Sequence, residues 1–269
     1  MGGKTMGLMA VAAFAAVGAS GLAAQDADFR WQQEMRAGQV LAVQGIVGSI
    51  RAEYASGSRA EVIATKDGRA RDFEEVEIRV VEERDGWTVC AVYHASSADR
   101  EGCDNNHSDR GDWGRRRSLD VDVDYVVRVP AGVEFHGGIV SGDVIARGLR
   151  SEVRASSVDG DIFVSTTDKA WANTVSGDME IEMGATDWDE LDFRTVSGDI
   201  TLWLPAGLET DVDFESLSGD IVSDFDITAT RKRTRRWVGE ELEGYIGSRG
   251  QRSLTFNTVS GDVELRRKR

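Results

Sequence analysis

Residues 194–205 read RTVSGDITLWLP, a Val-Ser-Gly-Asp-Ile core between two short stretches in which apolar and polar residues alternate. The same core, with small variations, returns along the second half of the chain. Aligned on the glycine, the copies run from Val140 to Val144, Val158 to Ile162, Val175 to Met179, Val196 to Ile200, Leu217 to Ile221 and Val259 to Val263. Their centres are Gly142 and Asp143, Gly160 and Asp161, Gly177 and Asp178, Gly198 and Asp199, Gly219 and Asp220, and Gly261 and Asp262.

The columns around the glycine show what each position does. Seven residues before it stand Phe135, Val153, Ala170, Leu191, Val212 and Leu254, and five before it the residues are again apolar or small. Two after it stand Val144, Ile162, Met179, Ile200, Ile221 and Val263, and four after it all but Ser223 are apolar. Alternation with a period of two on both sides of a glycine means two half-buried strands per unit, joined at a corner. A unit of 17 to 21 residues cannot bury its apolar face alone and must stack on its neighbours. The expected fold is all-β: a β-solenoid, parallel β-helix-like, built from these repeats. The glycine spacing doubles to 42 before the last copy, which leaves room for an inserted basic hairpin near 229–250.

The Ser-Gly-Asp triplet is either a binding site used many times or the corner itself. Glycine supplies a positive φ without a Cβ clash, and Ser and Asp can hydrogen-bond the turn's backbone groups, so the corner accounts for all three residues. In-register aspartates would stack about 4.8 Å apart and repel one another by roughly 1 kcal/mol in water. Such a ladder tolerates exposure or wants a cation, and calcium is the alternative that suits its oxygens. The calcium-binding β-roll needs more acidic positions per turn than this repeat offers, so no metal site is assigned and no cofactor is expected.

The chain before the repeats also reads as strands, among them Gln39–Val43, Gly48–Ala52, Ala60–Ala64, Val76–Val80 and Trp87–Val92. Ile46-Val-Gly-Ser-Ile50 looks like an imperfect early copy of the repeat, so residues 24–118 form an N-terminal β region that supplies the first rungs, with 119–269 as the repeat solenoid. Residues 95–117 lack periodicity and read as a surface loop. Cys90 and Cys103 bracket part of it, and a disulfide between them would stabilise the fold by about 3 kcal/mol. Zinc is the alternative, with His94 and His107 nearby, but the spacings match no standard zinc pattern. Val129-Pro-Ala-Gly and Leu204-Pro-Ala-Gly are turns.

The N-terminus, MGGKTMGLMAVAAFAAVGASGLAAQ, places Lys4 before an Ala-rich apolar run that ends in small residues. This is the order of a secretory signal peptide over residues 1–23, and the run is too short and interrupted for a stable membrane anchor. Export to the periplasm or cell surface is therefore expected, with no transmembrane segment in the mature chain. An oxidising compartment also suits the disulfide. A formal charge of −15 argues against nucleic acid as a partner, since phosphates would be repelled.

The export signal, the Thr-Val-Ser-Gly-Asp-Ile repeats, the Val-Pro-Ala-Gly turn and the terminal Asn-Thr-Val-Ser-Gly-Asp-Val-Glu-Leu together resemble the bacterial domain of unknown function described as a "putative adhesin" with β-strand repeats. The resemblance covers most of the mature chain and is strongest over 119–269. It implies an exported, repetitive β protein at the envelope and supplies no catalytic residues.

The residues agree with a non-catalytic role. There is no GxSxG elbow, HExxH or P-loop, and acidic pairs such as Asp159 with Asp161 read as solvated turns. His136, beside Gly137 and Gly138, reads as a turn residue. The candidate binding surface is Trp203, which should point outward between Leu202 and Leu204, together with the basic run of Arg231, Lys232, Arg233, Arg235 and Arg236. Trp171, Trp188 and Trp237 are further candidates near turns. The basic C-terminal residues Arg266 to Arg269 read as charge that blunts the edge of the last rung. The sequence thus points to a scaffold or adhesin-like module for an envelope polysaccharide or protein. A carbohydrate-active enzyme on the same coil and a calcium-dependent envelope sensor are the alternatives.

Overall fold

The computed structural model describes residues 28–93, 103, 119–234, 240–250 and 252–268. The signal segment 1–23 and the loop at 95–117, apart from Cys103, lie outside the described residues, as do His94, His107, Arg235, Arg236 and Trp237. The chain opens with β1 (Phe29–Glu34), β2 (Val40–Gln44), β3 (Ile50–Ala55) and β4 (Arg59–Gly68). A 3-10 turn then leads to β5 (Val76–Glu82), β6 (Gly86–Tyr93) and β7 (Val121–Pro130). The repeats supply β8 (Glu134–Gly138), β9 (Val144–Leu149), β10 (Val153–Ser156), β11 (Ile162–Thr166), β12 (Ala170–Asn173) and β13 (Met179–Glu182). They continue through β14 (Glu190–Arg194), β15 (Ile200–Leu204), β16 (Thr210–Ser218) and β17 (Ile221–Ser223). A hairpin of β18 (Ile227–Thr234) and β19 (Glu240–Ile246) follows, and the sixth copy ends the chain as β20 (Ser253–Ser260) and β21 (Val263–Arg267).

These strands form two facing sheets. The first has ten strands in the order β1-β4-β7-β3-β9-β11-β13-β15-β21-β17, and the second eleven in the order β18-β19-β16-β20-β14-β12-β10-β8-β2-β6-β5. Each Gly-Asp corner carries the chain from the second sheet into the first, so one repeat makes one rung. Adjacent rungs pair parallel and in register: Val153 lies between Phe135 and Ala170, and Ile162 between Val144 and Met179. The four apolar columns point between the sheets, where Leu191, Phe193, Ile200 and Leu202 are fully buried. Each such side chain contributes about 1.5–3 kcal/mol. Phe193 and Phe256 stack with ring centroids 5.6 Å apart. Ile221 and Ser223 are only half-buried because β17 ends its sheet.

The corner requires glycine twice over. Gly177 has φ +140°, and a Cβ there would stand 2.2 Å from the carbonyl oxygen of Gly160 in the neighbouring rung. Gly142, Gly160, Gly198, Gly219 and Gly261 repeat both features. Gly48 does so against Val123 at the N-terminal end, so β2 and β3 form a rung of the same kind. Outside it lie β6 and β7, paired parallel to β2 and β3, and then antiparallel β5, β4 and β1. Cys90 on β6 is disulfide-bonded to Cys103, with Cα atoms 5.8 Å apart.

Chain order and spatial order part company at the far end. The last rung, β20 and β21, lies between β14 with β15 and β16 with β17, pairing parallel to both. The reason is the hairpin: β19 pairs antiparallel with β16 and occupies its outer edge, so the final copy has only the inner edge to join. This corrects two expectations. The C-terminal strand blunts no edge, because β21 is interior and β17 is the end strand. Its basic residues serve ion pairs instead, Arg266 with Glu264 and Asp224, and Lys268 with Glu182. His136 likewise stands in strand β8 rather than a turn. Gly137 beside it is a packing glycine, since a Cβ there would lie 3.0 Å from Val144 Cγ1.

Candidate functional site

The repeated aspartates form a ladder with an identifiable task. Asp143 Oδ1 accepts the backbone N–H of Asp161 at 3.0 Å, Asp161 that of Asp178 at 2.8 Å, and Asp178 that of Asp199 at 2.8 Å. The series runs on in spatial order, from Asp199 to Asp262 at 2.8 Å and from Asp262 to Asp220 at 2.9 Å. Each carboxylate thus satisfies a donor in the next corner, where the backbone turns out of the ladder of either sheet. Beside it the hydroxyls of Ser157 and Thr174 donate to the carbonyls of Gly142 and Gly160. Among the described residues no group of three or more His, Cys, Asp or Glu side chains is arranged to hold a metal.

The surface residues singled out from the sequence are not brought together. Trp203 projects from the outer face of β15 in the first sheet, half-buried, in register with Glu182 and Arg266. Arg231 lies on β18 at the end of the second sheet, with its guanidinium 2.9 Å from Glu243 Oε1 and 3.5 Å from Glu241 Oε1. Lys232 and Arg233 follow it on the same strand. Trp188 is buried, at 3% exposure, and is no surface aromatic.

A long concave feature lies instead on the outer face of the second sheet. It is a trough of about 1140 Å³ crossing β2, β8, β10, β12, β14, β20, β16 and β19, about 34 Å at 4.8 Å per strand. The floor comes from the column four residues before each glycine, where Gly138, Ser156, Asn173 and Asn257 are small or carry amides and Arg194 and Glu215 carry charge. One wall comes from the column six before, with His136, Arg154 and Trp171. The other is an aliphatic ridge two before: Val175, Val196, Val259 and Leu217 are 45%, 46%, 43% and 51% exposed.

Charges in the middle of the trough are matched within rungs. Arg154 is bound to Glu152 at 2.8 Å and lies 4.4 Å from the centroid of the Trp171 ring, over which Lys169 Nζ also stands at 5.5 Å, so two cations hold the indole. Arg194 makes a bidentate pair with Asp192, donating from Nε to Oδ1 and from Nη2 to Oδ2. His136 is held below the ordinary imidazole range by burial and by the nearby Arg154, and its Nε2 has no hydrogen-bond partner. The hairpin end is acidic: burial, followed by Glu243, Glu215 and Glu241, pushes the Asp213 carboxyl up.

Residues 140–266, from the exposed Val140 to the last strand, match the family described as Toastrack DUF4097. They form a Toastrack domain. Its function is unknown. The Toastrack domain takes in all six Gly-Asp corners and most of the trough, while β8 and the N-terminal rungs precede it. Among solved structures the chain is similar to a "putative cell adhesion protein" from Clostridium sporogenes ATCC 15579, at 9% identity and TM-score 0.42, over 89% of this chain and 99% of that one. It is similar also to a "putative adhesin" from Bacteroides fragilis NCTC 9343, at 10% identity and TM-score 0.32, over 88% and 96%. A third is a "putative lipid binding protein" from Parabacteroides distasonis ATCC 8503, at 12% identity and TM-score 0.30, over 88% and 96%. At these identities and scores none of them carries a function over to this chain. No curated protein matches the chain.

The trough was open to discovery in the repeat itself. The signal lay in the outward columns of the Toastrack repeat, where a line of mostly small and amide residues, interrupted by Arg194 and Glu215, runs beside an aliphatic line of valines and Leu217. Attention to lone tryptophans and basic runs passes over it.

Proposed function

We propose that this protein is an exported, non-catalytic β-solenoid acting at the cell surface or in the periplasm as a scaffold or adhesin-like binding module, with the trough as its binding face. The observation that carries this reading is the trough, a continuous concave surface about 34 Å long on a rigid, hydrogen-bonded sheet. Long clefts with a few directed polar groups are where proteins take ligands.

Export is supported by the order of residues 1–23 and by the Cys90–Cys103 disulfide, which persists in oxidising compartments. No helix among the described residues is long and apolar enough to cross a membrane. The non-catalytic reading is supported by the use of the charged groups: Asp192 is tied to Arg194 and Glu241 to Arg231. The reading requires no cofactor. Its partner is an envelope polysaccharide or protein.

The test is to express the full chain in a bacterium, sequence the N-terminus of the product, and measure retention by isolated envelopes for the wild type and Asn173→Trp. Residue 173 is exposed on the trough floor. A product cleaved near residue 23 and retained unless the trough is filled agrees with the proposal. Cytosolic, uncleaved protein, or retention indifferent to Asn173→Trp, contradicts it.

A further inference from the structure

We infer that the trough takes an uncharged, unbranched glycan lying along the solenoid axis, with about one sugar to each rung. The inference rests on the reading of the trough as the binding face and names its ligand class.

The first argument is spacing. Groups on successive rungs recur about every 4.8 Å, close to the rise of one pyranose along an extended chain. Repeated side chains in register therefore meet repeated sugars in register. The second is the pattern across the trough. A pyranose chain carries hydroxyls along its edges and C–H groups on its faces. On the floor, between Trp171 and the aliphatic ridge of Val175, Val196 and Val259, the trough offers Ser156, Asn173 and Asn257, with Arg194, paired to Asp192, between the two asparagines and Glu215 at the hairpin end. Amides both donate and accept, which suits hydroxyls, and aliphatic and indole surfaces suit C–H faces. Three buried hydroxyls in the inward column three before the glycine, those of Thr195, Ser216 and Thr258 at 4%, 3% and 7% exposure, have no hydrogen-bond partner and lie beside the lining.

Other polymers fit worse. An extended polypeptide binds a sheet by pairing with a free strand edge, and every strand under the trough is paired on both sides. An anionic polymer meets a chain of formal charge −15 and the acidic Glu215 at one end of the trough. The mid-trough arginines are already neutralised by Glu152 and Asp192.

The test is affinity electrophoresis of the oxidised protein through gels containing hydroxyethyl cellulose, glucomannan or polygalacturonate. Asn173→Trp raises the floor, Trp171→Ala removes the indole, and Trp203→Ala on the opposite sheet is the control. Thermal melts show that the variants are folded. The expected result is retardation by at least one neutral glycan, weakened about tenfold or more by Asn173→Trp and by Trp171→Ala, as for loss of a central aromatic contact. Trp203→Ala is expected to behave as wild type, with no retardation in polygalacturonate. Absence of retardation by both neutral glycans overturns the inference, as does retardation that Asn173→Trp leaves unchanged or that only polygalacturonate produces. If neutral glycans fail while Asn173→Trp still abolishes envelope retention, the ligand class is wrong and the binding face stands. If envelope retention is also indifferent to Asn173→Trp, both fail.

Discussion

Asp178 Oδ1 accepts the backbone N–H of Asp199, one rung away, at 2.8 Å. The pair explains why an acidic residue recurs at a position where like charges are brought close. A carboxylate accepting a main-chain hydrogen bond gains more than a neutral acceptor would, and the exposed setting keeps the repulsion small. The aspartate is thus a capping group for the next corner.

Asparagine keeps an acceptor at that position and alanine does not. Asp178→Ala is expected to cost about 1–2 kcal/mol, and Asp178→Asn much less. Asp220, in the end rung, caps no further corner among the described residues, so Asp220→Ala should cost little. Urea unfolding of the three variants checks this, and equal losses at 178 and 220 would refute the capping role.

The glycines separate conformation from contact. Gly148 has φ +63° with open space around its Cβ position, whereas Gly177 combines φ +140° with a Cβ position 2.2 Å from a carbonyl oxygen. Gly148→Ala is expected to cost about 1 kcal/mol. Gly177→Ala must also displace a neighbouring rung and should cost about 3 kcal/mol or more. Comparable midpoints for the two variants would contradict the stacking argument.

Much of this fold can be read from the repeat. Apolar columns on both sides of a glycine dictate two strands and a corner, and Leu191, Phe193, Ile200 and Leu202 sit where the alternation puts them. The order of the rungs is not legible in the same way. Every copy presents the same columns, so Phe256 stacks on Phe193 as well as Phe214 would, and nothing in the repeat ranks the two. What decides is β19 on the outer edge of β16, a long-range pairing without a local pattern. The trough is legible only once the outward columns are compared across rungs. In sequence His136 looks like a turn residue because the glycine pair beside it resembles a turn, whereas Gly137 serves close packing.

The intercalated rung makes a kinetic prediction. Because β20 and β21 are flanked on both sides, the amides of Phe256 and Val263 should exchange with solvent as slowly as those of Phe193 and Ile200, although they lie near the C-terminus. Hydrogen exchange read by mass spectrometry or NMR tests this. Fraying of residues 253–267 ahead of β16 would contradict the strand order.

His136 should make stability fall on mild acidification. Burial and Arg154 depress its imidazole, while Glu152 and Asp85 oppose them and Glu134 lies 3.8 Å away. A lowered folded value means the neutral form is favoured by folding. The contribution is therefore complete above the ordinary imidazole value of about 6.5 and lost as pH falls through the lower folded value. Wild type should lose more of its thermal midpoint between pH 7 and 5 than His136→Gln. Parallel curves would show that His136 does not titrate with folding.

The most direct test of the corner reading is thermal unfolding of the oxidised protein in calcium and in chelator, followed by circular dichroism. A ligand at a hundred times its Kd adds about 2.7 kcal/mol to the native state, a shift of several degrees for a chain of this size. Coincident curves are predicted, because the ladder carboxylates from Asp143 to Asp262 each commit Oδ1 to the next rung's backbone and no three acidic groups converge on one point among the described residues. A midpoint that climbs with calcium concentration would make the Gly-Asp edge a metal site and contradict the account.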